Sequence, residues 1–188
     1  AQSAPAAGAA ESDGDIIVTA QRKDESLSKT PVAVAVLSAE TLAKANIVSE
    51  QDLRSATPGL SVRLGFGSND LNFAMRGQSQ DANSSSPPGV LPYINEVQVS
   101  GAGGASSFYD LQSIQVLKGP QGTLFGRSAT GGAVLFTTAK PSDEFGGYVS
   151  ALGGNLGAIK AEGAVTGAII KDVANARIAG FYQKKNGF

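Results

Sequence analysis

The sequence predicts a strand-and-loop fold with two short helices near its start and long alternating strands at its end. Three observations carry this. Glycine supplies 24 of 188 residues, well above an average usage of about 7%, and turns and close-packed strands tolerate that content where helices do not. Short β-branched and apolar runs recur between Ser-, Asn- and Pro-rich joins. From Ile159 onward, apolar and small residues alternate with polar ones over lengths typical of long strands.

Composition removes several function classes. With 15 basic against 16 acidic residues and no basic stripe, the chain lacks the clustered Lys and Arg that grip phosphates, so no nucleic-acid partner is expected. There is no Cys and no His, which excludes disulfides, thiolate or imidazole ligands, and Ser/His or Cys/His nucleophile pairs. No run approaches the roughly 18 apolar residues of a membrane helix, so a membrane span would have to be a barrel. The first residues show neither a basic nor an apolar signal region, though a start in Ala-Gln-Ser-Ala-Pro suits cleavage of an exported precursor.

Along the chain, residues 1–14 are small and polar and read as a disordered lead. Asp15, Ile16, Ile17, Val18, Thr19, Ala20 and Gln21 form an isolated β-branched strand with no obvious partner nearby, followed by a solvated linker at 22–30. That strand is either an edge strand of the domain or a peptide that another protein captures by strand addition. Pro31 to Ser38 is the first well-formed strand. Ser38 then caps a short helix ending near Asn46, and Ser49 with Asp52 opens a second that stops before Pro58. Leu42, Ala45, Ile47 and Leu53 are expected to face the core.

Strands are expected around LSVRL, LNFAMRG, LPYINEVQV and SIQVLKG, separated by exposed joins at Gln78 to Gly89 and Gly101 to Ser107. In the last part, Ile159, Ala161, Gly163, Val165, Gly167 and Ile169 alternate with Lys160, Glu162, Ala164, Thr166 and Ala168; a turn at Lys171-Asp172 follows. Ala174, Ala176, Ile178, Gly180 and Tyr182 then alternate with Asn175, Arg177 and Ala179. These lengths suit tilted transmembrane strands of about 9–11 residues, and a soluble hairpin shows the same pattern.

No motif nominates a catalyst. GTLFGRS, Gly122 to Ser128, has three residues between its glycines and then an Arg, where a phosphate loop needs four and then a Lys. The neighbours Asp143 and Glu144, and Asp24 and Glu25, read as solvated loop charge, and Asp110 reads as a turn or cap residue. No enzyme, cofactor or metal site is expected.

The order of motifs resembles the N-terminal plug of a TonB-dependent receptor, an active transporter of the Gram-negative outer membrane. DIIVTAQ resembles the TonB box. PVAVAVLSAETLAKA and DLRSATPGLSV resemble the opening strand and helices of the plug, FAMRGQ its arginine-glycine strand, and DLQSIQVLKGPQGTLFGRSATGGAVLFTTAKP, Asp110 to Pro141, its most diagnostic segment. The tail from Gly146 resembles the first barrel strands. The resemblance implies an α+β plug, a small mixed β-sheet with short helices, over 31–141, followed over 142–188 by the first strands of a transmembrane antiparallel β-barrel. About 22 strands enclose such a lumen, so these must be completed by further sequence.

It also implies roles. TonB, driven by the inner-membrane energy-transducing complex, would pair with Asp15 to Gln21. Arg76, Gln115, Lys118 and Arg127 would make plug-barrel contacts, with Gln115 standing where Glu is common and Asn95-Glu96 where Asp-Gly is usual. Gln78, Ser79, Gln80, Asp81, Asn83, Ser84 and Ser85 would belong to a ligand-facing loop, the ligand being a siderophore, cobalamin, a carbohydrate or another small molecule. The competing expectation is a small soluble β-rich ligand-binding module. The glycines of Val116 to Phe136 then read as backbone requirements inside an enclosed globule.

Overall fold

Three apolar runs, Val90–Ile94, Leu111–Lys118 and Gly132–Thr138, lie side by side in a computed structural model that describes residues 17–18, 25–26, 33–64, 71–79, 88–99, 108–125 and 129–186. In chain order the elements are β1 (Ile17–Val18), β2 (Glu25–Ser26), β3 (Ala33–Ser38), α1 (Ala39–Lys44), a 3₁₀ turn (Glu50–Asp52) and α2 (Leu53–Ala56). Then come β4 (Leu60–Leu64), β5 (Leu71–Met75), β6 (Val90–Ile94), β7 (Val97–Gln98), β8 (Leu111–Lys118), α3 (Gly122–Phe125) and β9 (Gly132–Thr138). β10 (Gly146–Gly154), β11 (Ala158–Ile170) and β12 (Ala174–Lys184) complete the series.

The central sheet has the order β3-β8-β9-β6-β7. It is mixed: β6 runs parallel to β9, from Val90 opposite Gly132 to Ile94 opposite Phe136, and the other neighbours are antiparallel. Its inner strands read as continuous apolar runs because both faces are covered. On one face Ile114, Val116, Val134 and Phe136 meet Leu42, Ile47 and Leu53 of the helical segment and Leu60, Val62, Leu71, Phe73 and Met75 of the β4-β5 hairpin. On the other, Leu91, Tyr93, Leu117, Ala133 and Leu135 pack with Phe125 and Ala129. Each fully buried Val, Leu, Ile, Phe or Met among them contributes about 1.5–3 kcal/mol, so these two layers hold the domain together.

The helices follow their caps. The Ser38 hydroxyl accepts from Thr41 N–H at 3.2 Å, and α1 ends as the chain turns into the left-handed region at Asn46, φ 51°. The Asp52 carboxylate accepts from the N–H groups of Val48 at 3.2 Å and Ser49 at 3.0 Å, closing the start of the next turn. Leu42, Ile47 and Leu53 are buried as expected, but Ala45 is exposed. It is the C-cap of α1 rather than a member of its last turn, so the helical period no longer aims it at the core.

Two further expectations change. The β-branched strand at the N-terminus was expected to lack a local partner, yet Ile17 pairs with Ser26 and Val18 with Glu25 in an antiparallel hairpin, so the linker at 22–30 includes a strand. LPYINEVQV is two strands, folded back at Asn95 and Glu96, which both take positive φ of 46° and 70°. Two successive positive φ values define the hairpin turn compatible with strand twist, and the Asn95 side chain fixes it by bonding Thr138 N–H and its hydroxyl.

β10, β11 and β12 form a separate antiparallel sheet. Register places Gly147, Val149, Ile159, Val165, Ile178 and Tyr182 on its outer face, where Val149 is 90% and Ile178 73% exposed. Tyr148, Lys160, Glu162, Thr166 and Arg177 lie on the opposite face, toward the central sheet.

Candidate functional site

The residues nominated from sequence fall into three places. Of the N-terminal strand, Ile17 and Val18 are in β1; Asp15, Ile16, Thr19, Ala20 and Gln21 lie outside the described residues. Of the loop, Gln78 and Ser79 are exposed, and Gln80, Asp81, Asn83, Ser84 and Ser85 lie outside the described residues. Gln78 closes a tight turn over Arg76 and Gly77, exchanging two backbone hydrogen bonds with Met75 at 2.8 and 3.0 Å. Its side-chain oxygen accepts from the Thr130 hydroxyl at 3.3 Å, which ties the loop's root to the strand entering β9.

The third group concerns contacts of the central sheet. Arg76, at φ 51°, lays its guanidinium so close over Gly119 that a Cβ there would meet Nη1 at 2.9 Å. Lys118 donates to Pro58 O at 2.8 Å, an internal bond of the domain. Gln115 is buried within the central sheet, between Val36 of β3 and Leu135 of β9. Arg127 lies outside the described residues.

Contacts between the central domain and the C-terminal sheet are made by residues the sequence reading did not nominate. Asp110, expected as a turn residue, does take a positive φ of 50°, but its carboxylate also receives both Nε and Nη2 of Arg177, at 2.8 and 2.5 Å. This is the bidentate fork that makes Arg–carboxylate pairs both strong and directional. Lys160 donates to Phe108 O at 3.0 Å and Val48 O at 3.4 Å. Its ammonium also approaches Glu162 at 3.2 Å and stands 5.7 Å from the centre of the Phe108 ring. Tyr109 packs on Phe181 with ring centres 4.6 Å apart, and Ser142 N–H bonds the Thr166 hydroxyl at 2.9 Å.

A cleft of about 620 Å³ lies beside these groups, walled by α1, the segment entering β8 and the inner face of β10 and β11. Glu50 is 6% exposed, and its Oε1 has no hydrogen-bond partner among the described residues. Burial pushes its carboxyl above the ordinary glutamate value, while its own backbone and Lys160 pull the other way. Among the described residues no three metal-ligating side chains converge.

One signal for these residues was present. Lys160, Glu162 and Arg177 are charges at the positions that alternate with the apolar face of these strands, and alternation alone puts them on the inner face. Their partners are 52 and 67 residues away in sequence, a distance over which pattern reading carries no information.

A capped helical pair, a β-hairpin and a mixed sheet, with a strand leading in and an antiparallel sheet leading out, define a receptor plug. The TonB-dependent receptor plug domain family matches residues 26–133, and the chain belongs to that family. It is 30% identical over 138 residues to the pesticin receptor of Yersinia pestis, covering 73% of this chain and 20% of that protein. To the vitamin B12 transporter BtuB of Vibrio vulnificus it is 26% identical over 180 residues, covering 92% of this chain and 28% of the transporter. Among solved structures, the ferric yersiniabactin uptake receptor FyuA of Yersinia pestis matches with a TM-score of 0.75 at 25% identity, over 82% of this chain and 24% of the receptor. The pyoverdine receptor FpvA of Pseudomonas aeruginosa shares the fold with a TM-score of 0.74 at 22% identity, over 90% of this chain and 24% of its own. The chain therefore spans between a fifth and about three tenths of the length of these relatives.

Proposed function

We propose that this chain is the gating part of an outer-membrane transporter: a plug with its force-bearing N-terminal strand, followed by the first three strands of the barrel that encloses it. The observation that carries this is the direct succession, in one chain, of a family plug and an antiparallel sheet whose outer face is apolar and whose inner face docks on the plug. That the matched proteins are named as receptors and transporters of a pesticin, vitamin B12 and iron chelates supports import of a scarce small molecule into the periplasm.

An outer membrane holds no ATP, so accumulation against a gradient needs work delivered from the inner membrane. In this reading TonB supplies it by adding a strand to residues Asp15 to Gln21. Backbone hydrogen bonds form a ladder that bears tension, and alternating side chains set the register. Arg76, Lys118 and Arg127 would meet further barrel strands, whereas Gln115 is enclosed within the central sheet, and the loop from Gln78 to Ser85 would face the ligand at the outer mouth.

The test is strand addition itself. Ile17→Pro removes one ladder donor, and its binding to the purified TonB C-terminal domain should weaken on the order of tenfold, about one net hydrogen bond. Energised uptake by the whole receptor should fall with it. Wild-type binding and uptake by a folded Ile17→Pro receptor would falsify the assignment.

A further inference from the structure

The seat between the plug and the C-terminal sheet combines the Tyr109–Phe181 ring contact with nearly buried charged groups. Among the described residues, the two apolar clusters that build the plug core include no member of β10, β11 or β12. Beside Tyr148, Leu152 and Phe181, the inner face presents Arg177 and Lys160, with side chains 14% and 13% exposed. Arg177 grips Asp110, whose backbone carbonyl also accepts from Ala139 N–H at 2.9 Å, just after β9. Lys160 reaches two carbonyls 60 residues apart in the chain, Val48 after α1 and Phe108 before β8. One ammonium thus ties together the two plug segments that border the 620 Å³ cleft, and the guanidinium fixes the second of them in depth.

We propose that Asp110, Arg177 and Lys160 form a clasp that positions the plug on the wall and keeps the cleft between them from opening into a continuous passage. The sealing role rests on the reading of β10 to β12 as wall strands; the positioning role does not. A polar clasp suits such a seat because an apolar one has no comparable on–off character. Removing one partner of a nearly buried charge pair leaves the other charge unpaired, and that costs far more than removing both. Arg177 and Asp110 are positioning residues here, acting through the plug segments they hold.

Two measurements separate the roles. In the purified chain, Arg177→Met and Asp110→Asn should each speed amide hydrogen exchange of Ala139, whose N–H donates to Asp110 O, by roughly tenfold or more, while amides of β8 and β9 remain protected. The double variant should exchange less than the two single effects combined predict. Unchanged exchange in both single variants, or strict additivity, would overturn the clasp.

In the full-length receptor reconstituted into liposomes holding carboxyfluorescein, without TonB, the wild type should retain the dye and Asp110→Asn should release it at least about tenfold faster, as expected for a seat whose buried charge has lost its partner. Asp110 is a plug residue, so this variant leaves the wall strands unaltered even if Arg177→Met fails to assemble. Faster exchange with the dye retained would overturn the sealing role alone. Absence of any membrane-inserted receptor would sink the wall reading and leave the exchange result standing.

Discussion

Gly132 occupies a position that no other residue fits. Its φ is 145°, and a Cβ would stand 2.1 Å from Leu117 O and 2.7 Å from Met75 Cε. The first obstacle is backbone in the neighbouring β8 and cannot swing aside. Gly132→Ala should therefore cost about 3 kcal/mol or more, through overpacking and backbone strain together. Gly59 makes the control: at φ 86° with nothing within 4 Å, its change to Ala costs about 1 kcal/mol, from the left-handed conformation alone. Denaturant midpoints of the two variants check the difference, and equal shifts would refute it. At this scale the sequence was partly readable. A glycine cluster between strands announces unusual backbone, and Gly119 and Gly132 both show it. Asp110 could be read as a turn residue, which it is, but its grip on Arg177 depends on a docking between sheets that no local pattern encodes.

Elements were legible where they carry a cap or a period. Ser38, and Ser49 with Asp52, marked helix starts that the structure keeps, because capping is a short-range exchange of hydrogen bonds. Ala45 was misplaced by a single residue of helix length, enough to rotate it off the core. β2 was invisible: Glu25 and Ser26 are poor strand formers, and a two-residue strand has no period to detect. Its presence has a consequence for coupling, since a hairpin occupies one edge of Ile17–Val18 before any outside strand arrives. So short a hairpin is marginal, and Ser26→Pro, which takes an N–H from it, should free that edge. Binding of the TonB C-terminal domain should then tighten a few-fold, as expected when a competing state is removed. Unchanged or weaker binding in calorimetry would mean that the hairpin does not compete.

For the whole molecule, two sheets of opposite character share one chain, and the difference was readable from period alone. The central strands are apolar on both faces because helices, a hairpin and α3 cover them; the last three alternate because only one side meets protein. What alternation cannot say is whether the uncovered side meets lipid or water, and Ile178 decides between them. It is 73% exposed and lies in the middle of β12, on the outer face. If that face is wet, Ile178→Arg is a surface change and should shift stability by no more than about 0.5 kcal/mol. If it faces hydrocarbon, an Arg near the middle of the span costs about 2–4 kcal/mol, and less of the full-length receptor should fold and insert. The measurement is the folded fraction recovered in lipid bilayers across a urea series, wild type against variant. A shift of the larger size fits a plug held within its own wall; a negligible one would return β10 to β12 to the surface of a soluble module, the alternative that alternation left open.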